Sequence, residues 1–436
     1  MTSHYLTNIT PDSISGIIFT YEGVRKSIVL MNGPTGCKYY HSAISDIQML
    51  RGTDFDPLNY PELMYFGQPR VPCTYLDTRD YIYGSREKLE EALGYFCSRT
   101  DFDMIFIVNS PGAALIGDDI AAIAAAAAPG RTIITIESPG YSKTEWYGAD
   151  FACREMILQL LPLIQRHKKH SSERPCVNLL GFSIFQKNHE GDLLEIERLL
   201  NLSGIDVSCS LCCGCTPEEI KSLASADLNV VVNASYGRGT AELLEKECGT
   251  PYTECRGIPV GFPGMEELIK DVCRRLDVSP AGALKELEKA RARAYIYLSR
   301  LDSLTGLPKS VPFAIQGTVS QCLGYCRFLI RYLGMAADCV AVLDRDRNDP
   351  EYRDLSGLLS SKGMAGALEK DILSTNAQLV FADGSIIAKL KFMKHDFSGI
   401  EINLPSLGYV DIVPKTHLGA AGGLALTEQV MNGLMF

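Results

Sequence analysis

The chain has 436 residues, of which 46% are apolar and 22% charged, the make-up of a globular protein with two or three domains and a substantial core. A net charge of −10 argues against a nucleic-acid or anionic-membrane partner. The polar opening MTSHYLTNITPDS lacks the apolar centre of a signal peptide, and the alanine-rich run at 121–128 is too short to span a bilayer, so a cytoplasmic location is expected.

In chain order, the strand-like apolar runs are SIVLM (27–31), MIFIV (104–108), TIITI (132–136) and VNLLG (177–181). They continue with LNVVVN (228–233), VPFAI (311–315), VAVL (340–343) and QLVF (378–381). Helical patterns separate them. Short continuous apolar runs between helices are the mark of parallel strands buried on both faces, and their regular recurrence predicts repeated βαβ units. Three blocks are expected: 1–170, which ends in the charged stretch QRHKKHSSERP, then 171–275, then 276–436. The third opens with PAGALKELEKARARAYIYLSR, a helix too long for a routine crossover and suited to bridging blocks.

Such folds carry their chemistry in loops at strand C-terminal ends. The first such loop is MNGPTGCKYYHS, where a glycine turn delivers Cys37 flanked by Lys38, Tyr39 and Tyr40. Cys73 lies in RVPCTYLDTRD, and further loops are NSPGAALIGDD, ESPGYSKTEWYG and SCSLCCGCTPEE. On spacing alone, Cys37 and Cys73 read as core cysteines as readily as ligands, since 35 intervening residues match no ligand signature. The group Cys209, Cys212, Cys213 and Cys215 reads either as small residues packing a tight turn at Gly214 or as a second metal or thiol site at Cys212, Cys213 and Cys215. A deprotonated trio would need a cation to offset its charge. A disulfide framework is not expected from the 15 cysteines of a cytoplasmic chain. Most, such as Cys97, Cys153 and Cys273, read as buried small residues, and so much thiol suits a reducing, anaerobic cell.

Asp118 and Asp119 precede a helix and read as caps. His417, in a glycine-rich loop before the last helix, is placed to reach a cleft, and His395 follows a lysine and reads as exposed. A lone histidine is more often structural than catalytic, so neither carries weight by itself. No P-loop motif is present, so ATP binding through one is not expected.

The ordered set GPTGC (33–37), DYIYGSREKL (80–89) and LIGDDI (115–120) resembles the nitrogenase component 1 superfamily. TPEEIKSLASADLNVVVNASYG (216–237) and GIPVGFPGMEEL (257–268) extend the resemblance across essentially the whole chain. It implies an α/β fold of three Rossmann-like parallel-sheet domains around a central cleft. In that family the GPxGC cysteine ligates an iron–sulfur cluster at a subunit interface. Cys37 matches it, and Cys73 falls near a second ligand position. The resemblance further implies a second component-1-like subunit, the same or a homologous chain, and a separate ATP-dependent iron protein that donates electrons.

The departures narrow this reading. Pro111 replaces a family cysteine, and residues 1–36 hold none. With fewer ligands per chain, a 4Fe–4S cluster bridging two chains is the simpler inference than an eight-iron one. Asn233 stands where a cofactor-anchoring cysteine is expected. Lys143, Glu145, Trp146 and Tyr147 fill a loop that leads to a histidine in the catalytic subunit. A standard nitrogenase catalytic subunit is therefore not expected, although a second metallocofactor in the cleft fits the family. The expected function is a nitrogenase-like reductase subunit acting on an unidentified substrate. Its rivals are a scaffold for metallocofactor assembly and a cluster-free small-molecule-binding protein.

Overall fold

The computed structural model describes residues 11–38, 71–98, 102–164, 174–408 and 411–435. Tyr39, Tyr40 and most of the charged stretch at 165–175 lie outside them. The chain forms two compact units, one of residues 1–167 with 211–222, the other of 168–210 with 223–436. Segment 211–222, from the middle of the expected second block, thus belongs with the first unit.

In the first unit, β1 (Ser27–Asn32), β2 (Met104–Asn109) and β3 (Thr132–Glu137) form a parallel sheet in that order. Helix α1 (Ser13–Glu22) leads into it; α2 (Thr78–Tyr83) and α3 (Arg86–Cys97) precede β2; α4 (Pro111–Ala114) and α5 (Ile120–Ala127) precede β3; α6 (Glu145–Ile164) follows. One face of the sheet packs Ile28, Leu30, Ile105 and Ile107 against Leu89, Leu93 and Phe96 of α3 and Ile120 and Ile123 of α5. On α1, Tyr21 stacks on Phe106 at 4.1 Å.

The second unit holds two four-stranded parallel sheets. The first has the order β5-β4-β6-β7, built from β4 (Cys176–Leu180), β5 (Asp206–Ser210), β6 (Leu228–Val231) and β7 (Tyr252–Glu254). The other has the order β11-β10-β8-β9, from β8 (Pro312–Gly317), β9 (Ala336–Val342), β10 (Leu379–Asp383) and β11 (Ser398–Asn403). The expected class, α/β with parallel sheets, is what the chain adopts. Helices α7 (His189–Leu202), α9 (Ala234–Cys248) and α10 (Gly261–Leu276) serve the first of these sheets, and the short α8 (Pro217–Lys221) belongs to the other unit.

Helix α11 (Ala281–Thr305) is the expected long helix, 25 residues in length. Its buried Ala283, Leu287, Ala290 and Ala294 recur at helical spacing and pack on α7, α10 and the C-terminal α15 (Gly419–Met435). Of these, α15 also touches β10 and β11 of the last sheet. Around the last sheet lie α12 (Val319–Cys326), α13 (Pro350–Ser361) and α14 (Gly384–Phe392).

Buried carboxylates tie these two sheets together. Glu351, fully buried on α13, accepts the Ser320 hydroxyl at 2.5 Å and the Gly257 N–H at 2.5 Å. Burial pushes this carboxyl up to about 7, the charges of Glu254 and Asp349 adding to the rise while the two hydrogen bonds oppose it. A carboxyl that holds its proton more tightly when folded stabilises the fold at acid pH. That contribution is lost as pH rises from the ordinary carboxyl range through about 7. Between pH 5 and 7.5, Glu351→Gln is therefore expected to gain stability relative to wild type by at most ~3 kcal/mol. Urea unfolding of both proteins at the two pH values measures this, and parallel pH profiles would refute it.

Candidate functional site

Each strand of the first sheet ends its apolar run on a polar residue, and the parallel register sets Asn32, Asn109 and Glu137 side by side. Their side chains form a ladder. The Asn32 Nδ2 donates to Asn109 Oδ1 at 2.9 Å, and Asn109 Nδ2 donates to both Glu137 oxygens at 2.9 and 2.8 Å. The Thr74 hydroxyl donates to Asn32 Oδ1 at 2.9 Å and accepts the Gly33 N–H at 3.0 Å. Asn32 also donates to Ser85 Oγ at 3.3 Å, and Ser85 in turn donates its N–H and hydroxyl to Asp118. Sequence reasoning passed over this ladder, although a polar residue closing each apolar run was its visible signal.

The ladder holds the loops that carry the cysteines. Segment 71–76 runs beside the end of β1: Met31 donates its N–H to the Pro72 carbonyl at 2.7 Å, and Thr74 donates its own to Met31 at 3.0 Å. This seats Cys73 opposite Met31 with only 1% of its surface exposed. Beyond β1, a 3-10 turn (Thr35–Lys38) raises Cys37, whose N–H bonds the Pro34 carbonyl, into a half-buried position. Gly33 makes the turn feasible, since a Cβ there would lie 2.5 Å from Ser110 Oγ. The structure therefore brings Cys37 and Cys73 to the same strand end.

Two tyrosines border Cys37. Burial, then a hydrogen bond to Cys37 and its charge, raise the Tyr141 phenol above its ordinary value, and burial with the charge of Cys37 does the same to Tyr81. Ile82 and Tyr83, next to Tyr81 in sequence, and Leu115 are exposed apolar side chains, Leu115 at 88%. Asp77 and Asp80 form a capping box on α2, and Lys88 bonds Asp80 at 2.6 Å.

Replacing Asn32 with alanine would strip partners from Asn109, Ser85 and Thr74 at once. We expect a loss of about 3 kcal/mol in stability, read from denaturant midpoints. A loss under about 1 kcal/mol would mean that the ladder is dispensable.

The cysteine-rich turn is packed, not open. Cys209, Cys212, Cys213 and Cys215 are all buried. Cys212 takes a left-handed φ of 56° and Gly214 one of 88°, and the Cys212 N–H bonds the Cys215 sulfur at 3.2 Å. The turn is clamped to the end of α1: Gly214 N–H bonds the Gly23 carbonyl at 2.7 Å, and Arg25 N–H bonds Cys215 at 2.7 Å. Among the described residues no three histidine, cysteine, aspartate or glutamate side chains are arranged to hold a metal ion. In this structure the trio packs the turn against the end of α1.

The remaining candidates have structural roles. Asp119 caps α5 through the Ala122 N–H at 3.0 Å, as expected, whereas Asp118 reaches across to Ser85 at the start of α3. Pro111 opens α4 behind its Ser110 cap. Asn233 caps α9, accepting the Ser235 N–H at 3.2 Å, while its buried Nδ2 has no partner among the described residues. Glu145 is buried, Trp146 is half-buried, and Lys143 lies over the Tyr147 ring at 5.3 Å. His395 Nδ1 bonds the Thr375 carbonyl at 3.1 Å. His417 sits between the Tyr325 hydroxyl, 2.7 Å from Nδ1, and Gln429, 2.8 Å from Nε2, and burial pushes it down to about 4, so it stays neutral. No described helix is long and apolar enough to cross a membrane.

Three parallel sheets, with a half-buried thiol on a turn beyond one strand end, define an α/β protein of the parallel-sheet class. The model of the family "nitrogenase component 1 type oxidoreductase" matches residues 13–435, and the chain belongs to that family. It is similar to a light-independent protochlorophyllide reductase chain of Synechococcus sp. (strain CC9311), 27% identical over 346 residues, which are 78% of this chain and 64% of that protein. The corresponding reductase chain of Methylobacterium radiotolerans is 26% identical over 329 residues, 75% of this chain and 60% of that one. The chain thus spans just under two thirds of the length of these curated relatives. Among solved structures, "Nitrogenase Cp1 at pH 6.5" shares the fold, with a TM-score of 0.74 over 98% of this chain and 92% of that one at 15% identity.

Proposed function

We propose that this chain is the component-1 subunit of a nitrogenase-like, ATP-dependent reductase. In this reading an iron protein docks near Cys37, and a second component-1-like chain, identical or homologous, completes an iron–sulfur site of the 4Fe–4S kind. The observation that carries it is the placement of Cys37: a half-buried thiol on a strand-end turn, bordered by Tyr141 and Tyr81, within a chain of this family.

The donor set suits the group. Thiolates are the preferred ligands of such clusters, and Cys37 and Cys73 offer two at one strand end. Cys37 is half-buried and the more accessible of the two, while Cys73 is buried. Four thiolates do not gather within one chain's described residues, which is why a second chain is invoked. When bound, the cluster supplies one-electron relay between the iron protein and the substrate. Tyr141 and Tyr81, both beside the Cys37 sulfur, would adjust its donor strength and shield it from water. The substrate is a reducible small molecule.

Anaerobic purification with iron and sulfide analysis tests the reading. About two irons per chain, with a spin-half signal on reduction, are expected for one four-iron cluster shared by two subunits. Folded, oligomeric protein without iron would end it. A scaffold role draws support from Asn233, whose amide caps α9 where the family's cofactor cysteine is expected. A second metal cofactor retained through purification would count against that role.

A further inference from the structure

Away from the cysteines, the second unit contains a cavity of about 680 Å³ beside β7, walled by α10 and reached by Arg238, Arg256, Arg275 and Arg327. Strand β7 is an edge strand. Its Cys255 N–H bonds Val231, and its Pro251 carbonyl accepts from Asn229, so in a parallel ladder the N–H groups of Tyr252 and Glu254 point to the open side. The cavity lies there, with Thr253 and Glu254 also in its wall.

The hydrogen-bonding capacity of this lining is one-sided. Both oxygens of Glu254 and of Asp271 are engaged, and Glu267 is engaged through one. Glu254 accepts Arg238 Nε and Nη2 on separate oxygens, both at 2.7 Å. Asp271 accepts Arg274 on one oxygen, and on the other the Thr253 hydroxyl and Arg275 Nε, the last at 3.0 Å. Glu267 holds Arg327 at 3.0 Å.

The arginines are not all spent. Arg238 is, with its third nitrogen on Asp349 at 2.7 Å. Arg275, however, uses only Nε. Arg256 uses only Nη1, to Asp354 at 3.4 Å, and Arg327 uses only Nη1, shared between the Arg256 carbonyl and Glu267. The other guanidinium nitrogens of these three have no partner among the described residues. What remains on offer is an array of charged, planar donors with outward backbone N–H groups beside them. Such donors pair bidentately with carboxylate and phosphate groups. For a cation the lining leaves, among the described residues, one unengaged carboxylate oxygen, Glu267 Oε1, against several free guanidinium donors. The volume lies within the range of small-molecule sites.

We infer that this cavity binds a small multivalent anion carrying carboxylate or phosphate groups, held by Arg256, Arg275 and Arg327. The inference is independent of the iron–sulfur reading. Citrate and inorganic pyrophosphate, each titrated calorimetrically into the full chain in low-salt, phosphate-free buffer, are the probes.

Saturable binding of at least one is expected. It should weaken about tenfold in both Arg275→Gln and Arg256→Gln, and be unchanged in the surface control Arg300→Gln. Both site arginines are exposed, so their loss leaves the core intact. Binding of citrate alone assigns carboxylates, and of pyrophosphate alone phosphates. Failure of both probes to saturate by about 10 mM, or equal affinity in wild type and both variants, overturns the inference.

Discussion

Anaerobically purified Cys37→Ala protein is expected to lose most of its bound iron while keeping its fold. The two halves of this expectation have separate physical grounds. Cys37 is half-buried on a turn beyond the end of β1, so removing its sulfur deletes few packing contacts, and the midpoint of unfolding should shift by less than about 1 kcal/mol in stability. Its thiolate, by contrast, is the more accessible of the two proposed ligands, and a shared cluster that loses one thiolate from each of two chains keeps only half its ligands. The comparison with Cys73→Ala sharpens the test. Cys73 is buried against β1, so its replacement should cost about 1–3 kcal/mol in addition to any iron lost. Unchanged iron content in Cys37→Ala would place the ligands elsewhere. Iron lost in step with global unfolding would assign Cys37 a merely structural role.

The second large effect is expected at the crossing of α1 and α6. A Cβ on Gly16 would lie 2.0 Å from the Glu145 carbonyl oxygen, and one on Gly148 would lie 2.1 Å from that of Ser13. Each glycine lets the other helix's backbone fill the space a side chain would take. Neither obstacle is a movable side chain, so alanine at either position must push two backbones apart. Gly16→Ala or Gly148→Ala should therefore destabilise the first unit by about 3 kcal/mol or more, measured by denaturant unfolding. The consequence reaches the cysteine-rich turn, because α1 ends at Gly23, whose own missing Cβ leaves room for the Cys212 carbonyl. Hydrogen exchange should then quicken at the amides of Gly214 and Arg25, which tie that turn to α1. A cost under about 1 kcal/mol would mean that the helices slide past each other without penalty.

The sequence alone made the inner strands legible. β2, β4, β6, β8 and β10 are flanked on both sides, and a strand buried on both faces must be a continuous apolar run, which is what MIFIV, VNLLG, LNVVVN, VPFAI and QLVF display. The three strands that escaped it, β5, β7 and β11, all sit at sheet edges. The edge strands β1, β3 and β9 also showed apolar runs, whereas DVSCS, YTE and SGIEIN are short or broken by polar residues, and only pairing with a neighbour makes them strands. The alternation of elements, the glycine turn that raises Cys37, the helix caps and the family resemblance were likewise written in the chain, because each depends on residues close in sequence. Other features depend on residues far apart, and only the tertiary structure decided them. The register of three strands aligned Asn32, Asn109 and Glu137 into a ladder. The close approach of α1 drew segment 211–222 out of its expected block, with its three cysteines buried. The packing of α10 beside an edge strand left three arginines with donors unspent. In each case the chemistry resides in a juxtaposition, and local residue patterns carry no record of which distant side chain fills the other half of a contact.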